Sequence, residues 1–171
     1  VEAMSAHDAQ PAKAPLFNSP LETGLRAVVL LDALYPRACG LSELTWFDHL
    51  VVHTGDLGGP ASLHPDLPSR TGELLVRRRL VEQSLRLMQQ VNLIEASNDE
   101  TGIYFKASDE APSFIDLLQT SYSLALKDCA RWLADQFRDR STSEIEGIVS
   151  ERIGRWTAEF RTATDSSEIG L

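Results

Sequence analysis

Apolar positions recur along the chain at helical spacing, and turn-forming residues break the pattern into blocks. Ser19-Pro20-Leu21-Glu22 predicts a helix start: serine as N-cap, proline at the first helical position and a glutamate three residues after the cap. That helix is expected to run to about Tyr35, before Pro36. It is apolar nearly all round (Leu25, Val28, Val29, Leu30, Leu31, Leu34), which predicts a central position. A second helix is expected over Leu41–His53. On its helical projection Leu44, Trp46, Phe47, Leu50 and Val51 share one half, whereas Asp48, His49 and His53 take the other, expected to be polar. A Gly- and Pro-rich connection, Thr54–Gly72, follows, and a third helix is expected over about Glu73–Asn92. Leu93–Ala96 and Ile103–Ala107 read as two short strands joined by the turn-forming Ser97–Gly102.

Helix, helix, long loop, helix and β-hairpin is the order of a winged helix-turn-helix, so the expected fold is mainly α with a small hairpin wing and extra C-terminal helices. Pro112–Gln119 is expected as a short helix. Ser121–Arg138 is a longer one with the stripe Tyr122, Leu126, Cys129, Leu133 and Phe137. Ser141-Thr142-Ser143-Glu144 is a second capping box, opening a helix to about Arg161 with the narrow stripe Ile145, Val149, Ile153, Trp156 and Phe160. The expected organisation is a flexible arm over 1–17, a winged-helix domain over 18–110, packing helices over 111–140, and an amphipathic helix and tail over 141–171.

Composition narrows the function classes. The chain has 171 residues and a formal net charge of −9, so counterion release on nucleic acid cannot drive binding globally and a local basic patch would have to. Two cysteines are too few for a disulfide framework or a cysteine-type zinc site, which predicts a reducing, cytoplasmic setting. No apolar run approaches the ~20 residues of a membrane span. There is no GxxxxGK[ST] loop, no GxGxxG and no nucleophile elbow, so no catalytic residue and no cofactor is expected. Cys129, on an apolar stripe, reads as a buried structural thiol.

Three groups of residues remain. His49 and His53 stand at i and i+4, a spacing that can grip a metal ion, and Asp56 and His64 could complete such a site. The commoner use of histidines there is to anchor a loop or touch a partner, and no metal is assigned. The second group is basic: Arg70, Arg78, Arg79 and Arg86. Arg79, Gln83, Arg86 and Gln90 share one stripe, able to read bases or to face an acidic partner. The wing argues against DNA, because Glu95, Asp99 and Glu100 would meet phosphate with like charge. The third group is anomalous by burial. Arg77 projects into the arc of Leu74, Val81, Leu85, Met88 and Val91, and Asp32 lies among Leu21, Leu25, Val28 and Tyr35. A buried charge must be paired, so an Asp32–Arg77 pair is expected, with Glu73 or Asp48 as second choice.

The segments FNSPLETGLRAVVLLDAL (Phe17–Leu34) and HTGDLGGPASLHPDLPSRTGELLVRRRLVEQSLRLM (His53–Met88), followed by GIYFKAS and the helix around Trp132, resemble middle component 2 of the ABC-three component systems over about Leu16–Phe137. The resemblance implies an accessory subunit working between an SMC- or Rad50-like ABC ATPase and an effector, often a nuclease, in bacterial defence against phage and plasmids, including the Lamassu type. It transfers no catalytic residue. It carries over the motif of His53, Gly55, Asp56, Gly58, Gly59, Pro60, Ser62, Leu63, His64, Pro65, Arg70, Gly72, Glu73 and Arg77 as a structural and docking element. The resulting expectation is a cytoplasmic adaptor without a small-molecule substrate or membrane contact, touching DNA only through the assembled complex. Its partner-binding residues would be Arg70, Arg78, Arg79, Arg86, Trp156 and Phe160. The rival is a winged-helix DNA-binding regulator using Arg78, Arg79, Gln83, Arg86 and Gln90.

Overall fold

A computed structural model describes residues 19–65 and 73–153, with the side chains of 73–75 and 152–153 outside the description. The expected arm, Arg70, the outer part of the last helix with Trp156 and Phe160, and the tail lie outside the described residues. The order is α1 (Pro20–Leu34), β1 (Cys39–Gly40), α2 (Leu41–Val52), a 3₁₀ turn (Thr54–Leu57), α3 (Glu73–Gln90), β2 (Ile94–Asp99), β3 (Gly102–Ala107), α4 (Ala111–Asp116), α5 (Ser121–Phe137) and α6 (Thr142–Ile153). Among the described residues the protein is mainly helical with one small antiparallel sheet of strand order β1-β3-β2.

Local chemistry accounts for most boundaries. Ser19 caps α1 by accepting from the Glu22 amide at 3.2 Å, but the Glu22 carboxylate turns to Arg26, so the cap is one-sided. The Ser141 box is reciprocal: Ser141 Oγ accepts from the Glu144 amide at 3.3 Å, and the Glu144 carboxylate accepts from the Ser141 amide at 2.7 Å. Asn92, with φ of 59°, stops α3, and the amides of Asn92 and Leu93 donate back to Gln89 and Met88 in a Schellman arrangement. Thr120 caps α5, a signal the sequence pattern left unread. In the hairpin, Ala96 pairs with Phe105 and Asp99 with Gly102, so both strands are longer than their apolar runs suggest. The Asp99 carboxylate takes the amides of Thr101 and Gly102, closing the turn. β1 was not expected. It is two residues long, carries no periodicity of its own, and exists through pairing Cys39 with Phe105 and Gly40 with Tyr104.

One cluster of buried apolar side chains runs from Ala27 on α1 to Val149 on α6. Helices α1 and α2 form its centre, with α3 on one side and α5 on the other. Helix α1 is buried over most of its surface between Thr23 and Leu34, as its composition implies, and its first turn is exposed. Gly24 sits where a Cβ would come 2.6 Å from the end of Met88, so α1 and α3 touch almost backbone to side chain there. Ile145 and Val149 bury the described part of the α6 stripe against the same core. Arg37 ties the far end together. Its guanidinium donates to the carbonyls of Phe137, Arg138 and Arg140 at the end of α5 and pairs with the buried Glu43 of α2. Glu43 also accepts from Thr142 Oγ1 at 3.0 Å, which joins α6 to α2.

Candidate functional site

Helix α2 is surrounded, and this overturns the expected polar half. Asp48 is 1 % exposed, and His49 and His53 are 4 % and 5 % exposed. They are buried because two neighbouring helices supply cations. Arg26 of α1 donates through Nε to Asp48 Oδ1 at 2.7 Å and through Nη2 to Oδ2 at 3.3 Å, and Nη2 also reaches Thr23 Oγ1 at 3.0 Å. Arg77 of α3 donates through Nη1 to Asp48 Oδ2 at 2.5 Å. Glu22 adds a second carboxylate 3.7 Å from Arg26. Two arginines therefore share one aspartate at the junction of three helices. Burial opposes the charge of Asp48, but the two guanidiniums outweigh it and hold its pKa below the ordinary carboxylate value.

The expectation of a buried pair at Arg77 holds, but its partner is Asp48 and not Asp32. Asp32 is six residues beyond Arg26 on α1, which turns it well away from the α2–α3 side. It is half-buried near Asp116, and burial together with that carboxylate raises its pKa. Arg26 is the sole basic residue of the apolar α1, and a charge among apolar positions, as at Arg77 within its arc, is the signal that could have found it.

The motif loop is built around this junction. Residues 54–65 of the Gly- and Pro-rich connection are held by their own hydrogen bonds. Thr54 Oγ1 donates to the Pro60 carbonyl at 2.8 Å, the Gly55 amide to Ser62 Oγ at 3.1 Å, and the Gly59 amide to the Thr54 carbonyl at 3.0 Å. The amides of Leu63 and His64 both return to the Val52 carbonyl at the end of α2. Gly58, with φ of 78°, takes the left-handed conformation that closes the 3₁₀ turn. Gly59 lies against the face of Trp132 of α5, where a Cβ would be 2.8 Å from the indole. Gly58 and Gly59 thus serve turn geometry and steric closeness.

Three of the four histidine-site candidates come near one another. The His49 and His53 rings lie tilted by 34° with centroids 4.4 Å apart, and His64 meets His53 edge-on at 6.4 Å. His64 Nε2 is 3.0 Å from the Tyr122 hydroxyl on α5. Asp56 stands apart, exposed at the loop surface. Burial and the nearby positive charges push the pKa of His64 down to about 4, so its ring is neutral at ordinary pH. Among the described residues no group of three such side chains is arranged to hold a metal ion. His64 anchors the loop to α5.

The polar face of α3 is where the stripe places it. Arg79, Gln83, Arg86 and Gln90 are exposed in a row. Arg86 pairs with Glu82 one turn away at 2.6 Å. Arg78 is partly buried and donates to Ser42 Oγ at 3.1 Å, which ties α3 to the start of α2 and removes it from the outward row. Glu95, Asp99 and Glu100 are exposed on the hairpin. Cys39 and Cys129 are both buried; burial pushes the Cys39 thiol up to about 12. Among the described residues no helix is long and apolar enough to cross a membrane.

Comparison with curated proteins and with solved structures gave no match. A family model does match, over residues 16–159, and so takes in the α1 segment, the glycine-rich loop, the hairpin and α4 to α6. The chain belongs to the family of the ABC-three component (ABC-3C) system middle component 2.

Proposed function

We propose that this chain is a non-catalytic adaptor that links an SMC- or Rad50-like ABC ATPase to an effector, a nuclease in many such systems, within a cytoplasmic defence complex of the Lamassu kind. Membership of a middle-component family is the observation that carries the reading. The buried chemistry agrees with it. Asp48, Arg26 and Arg77 pair with one another inside the core, and His64 is held neutral as a loop anchor, so the charged constellation serves architecture. What is left for partners is surface, above all the exposed row of Arg79, Gln83, Arg86 and Gln90. Arg70, Trp156 and Phe160 join it in the proposal as further partner contacts, and Arg78 contributes by fixing the helix.

The frame is proposed to be a winged helix-turn-helix. Support comes from the succession α1-β1-α2-α3-β2-β3 with sheet order β1-β3-β2, in which α3 occupies the recognition position and β2-β3 the wing. The same order favours the rival reading, DNA contact through Arg79, Gln83, Arg86 and Gln90. The acidic hairpin opposes it.

Co-purification with the ATPase subunit tests the adaptor. Reversing Arg79 and Arg86 to glutamate, or deleting residues 154–171, should each weaken a complex expected to bury more than about 1,000 Å². Truncation before α6 is unsuitable, since Ile145 and Val149 are core residues. Unchanged co-purification of both variants would refute the proposal. Duplex binding by the isolated subunit with steep salt dependence would favour the rival.

A further inference from the structure

A second surface lies away from the arginine row. The last turn of α3, the first turns of α1 and the short α4 enclose an open groove of about 690 Å³. Its walls are Leu21 and Leu25, Met88 and Val91, and Phe114 and Leu117. Three of these are among the most exposed large apolar side chains described: Leu21 at 57 %, Val91 at 51 % and Leu117 at 77 %. Contiguous exposed apolar surface of this kind marks an interaction site. The exposed Leu21 belongs to α1 and Leu117 follows α4, so an occupant that covers both must extend across the groove. A helix laid along the groove does that, whereas a small molecule held in a cleft does not.

The charge of the rim selects the occupant. Among the described residues the charged ones lining the groove are Asp109 and Glu110, both exposed and both acidic. Asp116 stands next to Leu117, close enough to raise the pKa of the half-buried Asp32 together with burial. Carboxylates therefore crowd the α4 side, and a cation brought there would relieve like-charge repulsion. We infer that the groove between α1, α3 and α4 docks a basic amphipathic helix of a partner protein, apolar side chains on its floor and lysines or arginines against Asp109 and Glu110. The chain's own N-terminal residues are a poor match, with Lys13 their single Lys or Arg and no helical apolar stripe.

The inference stands independently of the adaptor reading, and the test keeps the two separate. A fluorescein-labelled peptide of about 18 residues, leucine and lysine in amphipathic order, is titrated into the full chain and followed by anisotropy. Controls are the same composition in scrambled order and a version with glutamate for lysine. The wild type should bind the basic amphipathic peptide and neither control. Asp109→Lys with Glu110→Lys should weaken binding by about tenfold or more, and Leu117→Glu by a similar factor. All three sites are exposed, so far-UV circular dichroism should be unchanged. Arg79→Glu with Arg86→Glu should shift binding less than about twofold, whatever it does to co-purification with the ATPase. Equal binding by the groove variants, or by the scrambled peptide, overturns the inference. So does tighter peptide binding after deletion of 1–17 or 154–171, which would assign the groove to the chain's own ends. A dimer converted to monomer by Leu117→Glu would assign it to a second copy.

Discussion

Replacing Asp48 by asparagine removes the one charge that two buried arginines share. The carboxylate accepts three contacts at 2.7, 3.3 and 2.5 Å from Arg26 and Arg77. An amide keeps a single acceptor oxygen and presents an NH₂ group to a guanidinium, so at least one charge-assisted contact is lost and both cations lose the charge they share, although Glu22 stays beside Arg26. Breaking a buried pair by removing one partner costs about 3–5 kcal/mol. A domain of this size is stable by about 5–15 kcal/mol, so the variant should remain folded but lose a large part of its margin. Urea unfolding followed by tryptophan fluorescence should show the midpoint falling by roughly 2 M at a slope of about 2 kcal/mol/M. Arg77→Met should cost less, because Asp48 keeps Arg26. The double variant should lose clearly less than the sum of the two, since the cation that asparagine leaves stranded is then gone. Replacing Arg26, Asp48 and Arg77 together with leucine and methionine should come back close to the wild type. The folded-state pKa of Asp48 is depressed, so its stabilising contribution is present above the unfolded value of about 3.9 and is lost as pH falls through the folded value. Asp48→Asn should therefore flatten the acid limb of stability below about pH 4. A midpoint within about 0.3 M of wild type, with an unaltered acid limb, would refute the junction as the lock between α1, α2 and α3.

Other outcomes follow from the same packing. Gly59→Ala drives a methyl into the Trp132 ring and should cost about 1–3 kcal/mol; Trp132→Leu in the same chain should recover part of that loss. The His64 imidazole should titrate near 4 in ring-proton NMR, and its share of stability should fall as pH drops from about 6.5 toward that value, because the unfolded chain takes the proton first. A normal midpoint near 6.5 would refute the half-buried anchor. Both thiols should resist a disulfide reagent in the native protein and react at the rate of unfolding, measurable by absorbance against urea. Ser141→Ala removes the α6 cap and should cost about 0.5–2 kcal/mol in the same unfolding assay.

Helix spans, caps and the hairpin were legible in the sequence because their causes are local. Ser19, Ser141 and Glu144 act on amides within a turn of themselves, Pro20 fixes its own φ at the first helical position, and the 3.6-residue spacing of Leu126, Cys129, Leu133 and Phe137 states which side of α5 is covered. The need for a partner at Arg77 was legible as well, since a guanidinium inside an apolar arc cannot stay unpaired. Which carboxylate answers it was not. Asp32 and Asp48 look alike along the chain, and the choice depends on how α1 is rotated against α2 and α3, set by close contacts such as Gly24 on Met88. The same crossing turned the expected polar half of α2 inward, where Arg26 and Arg77 compensate a buried charge that the hydropathy pattern would have left in water. Two-residue β1 and the Gly59–Trp132 contact likewise come from segments distant in sequence. Periodicity describes what one element needs; three-dimensional packing decides which neighbour meets the need.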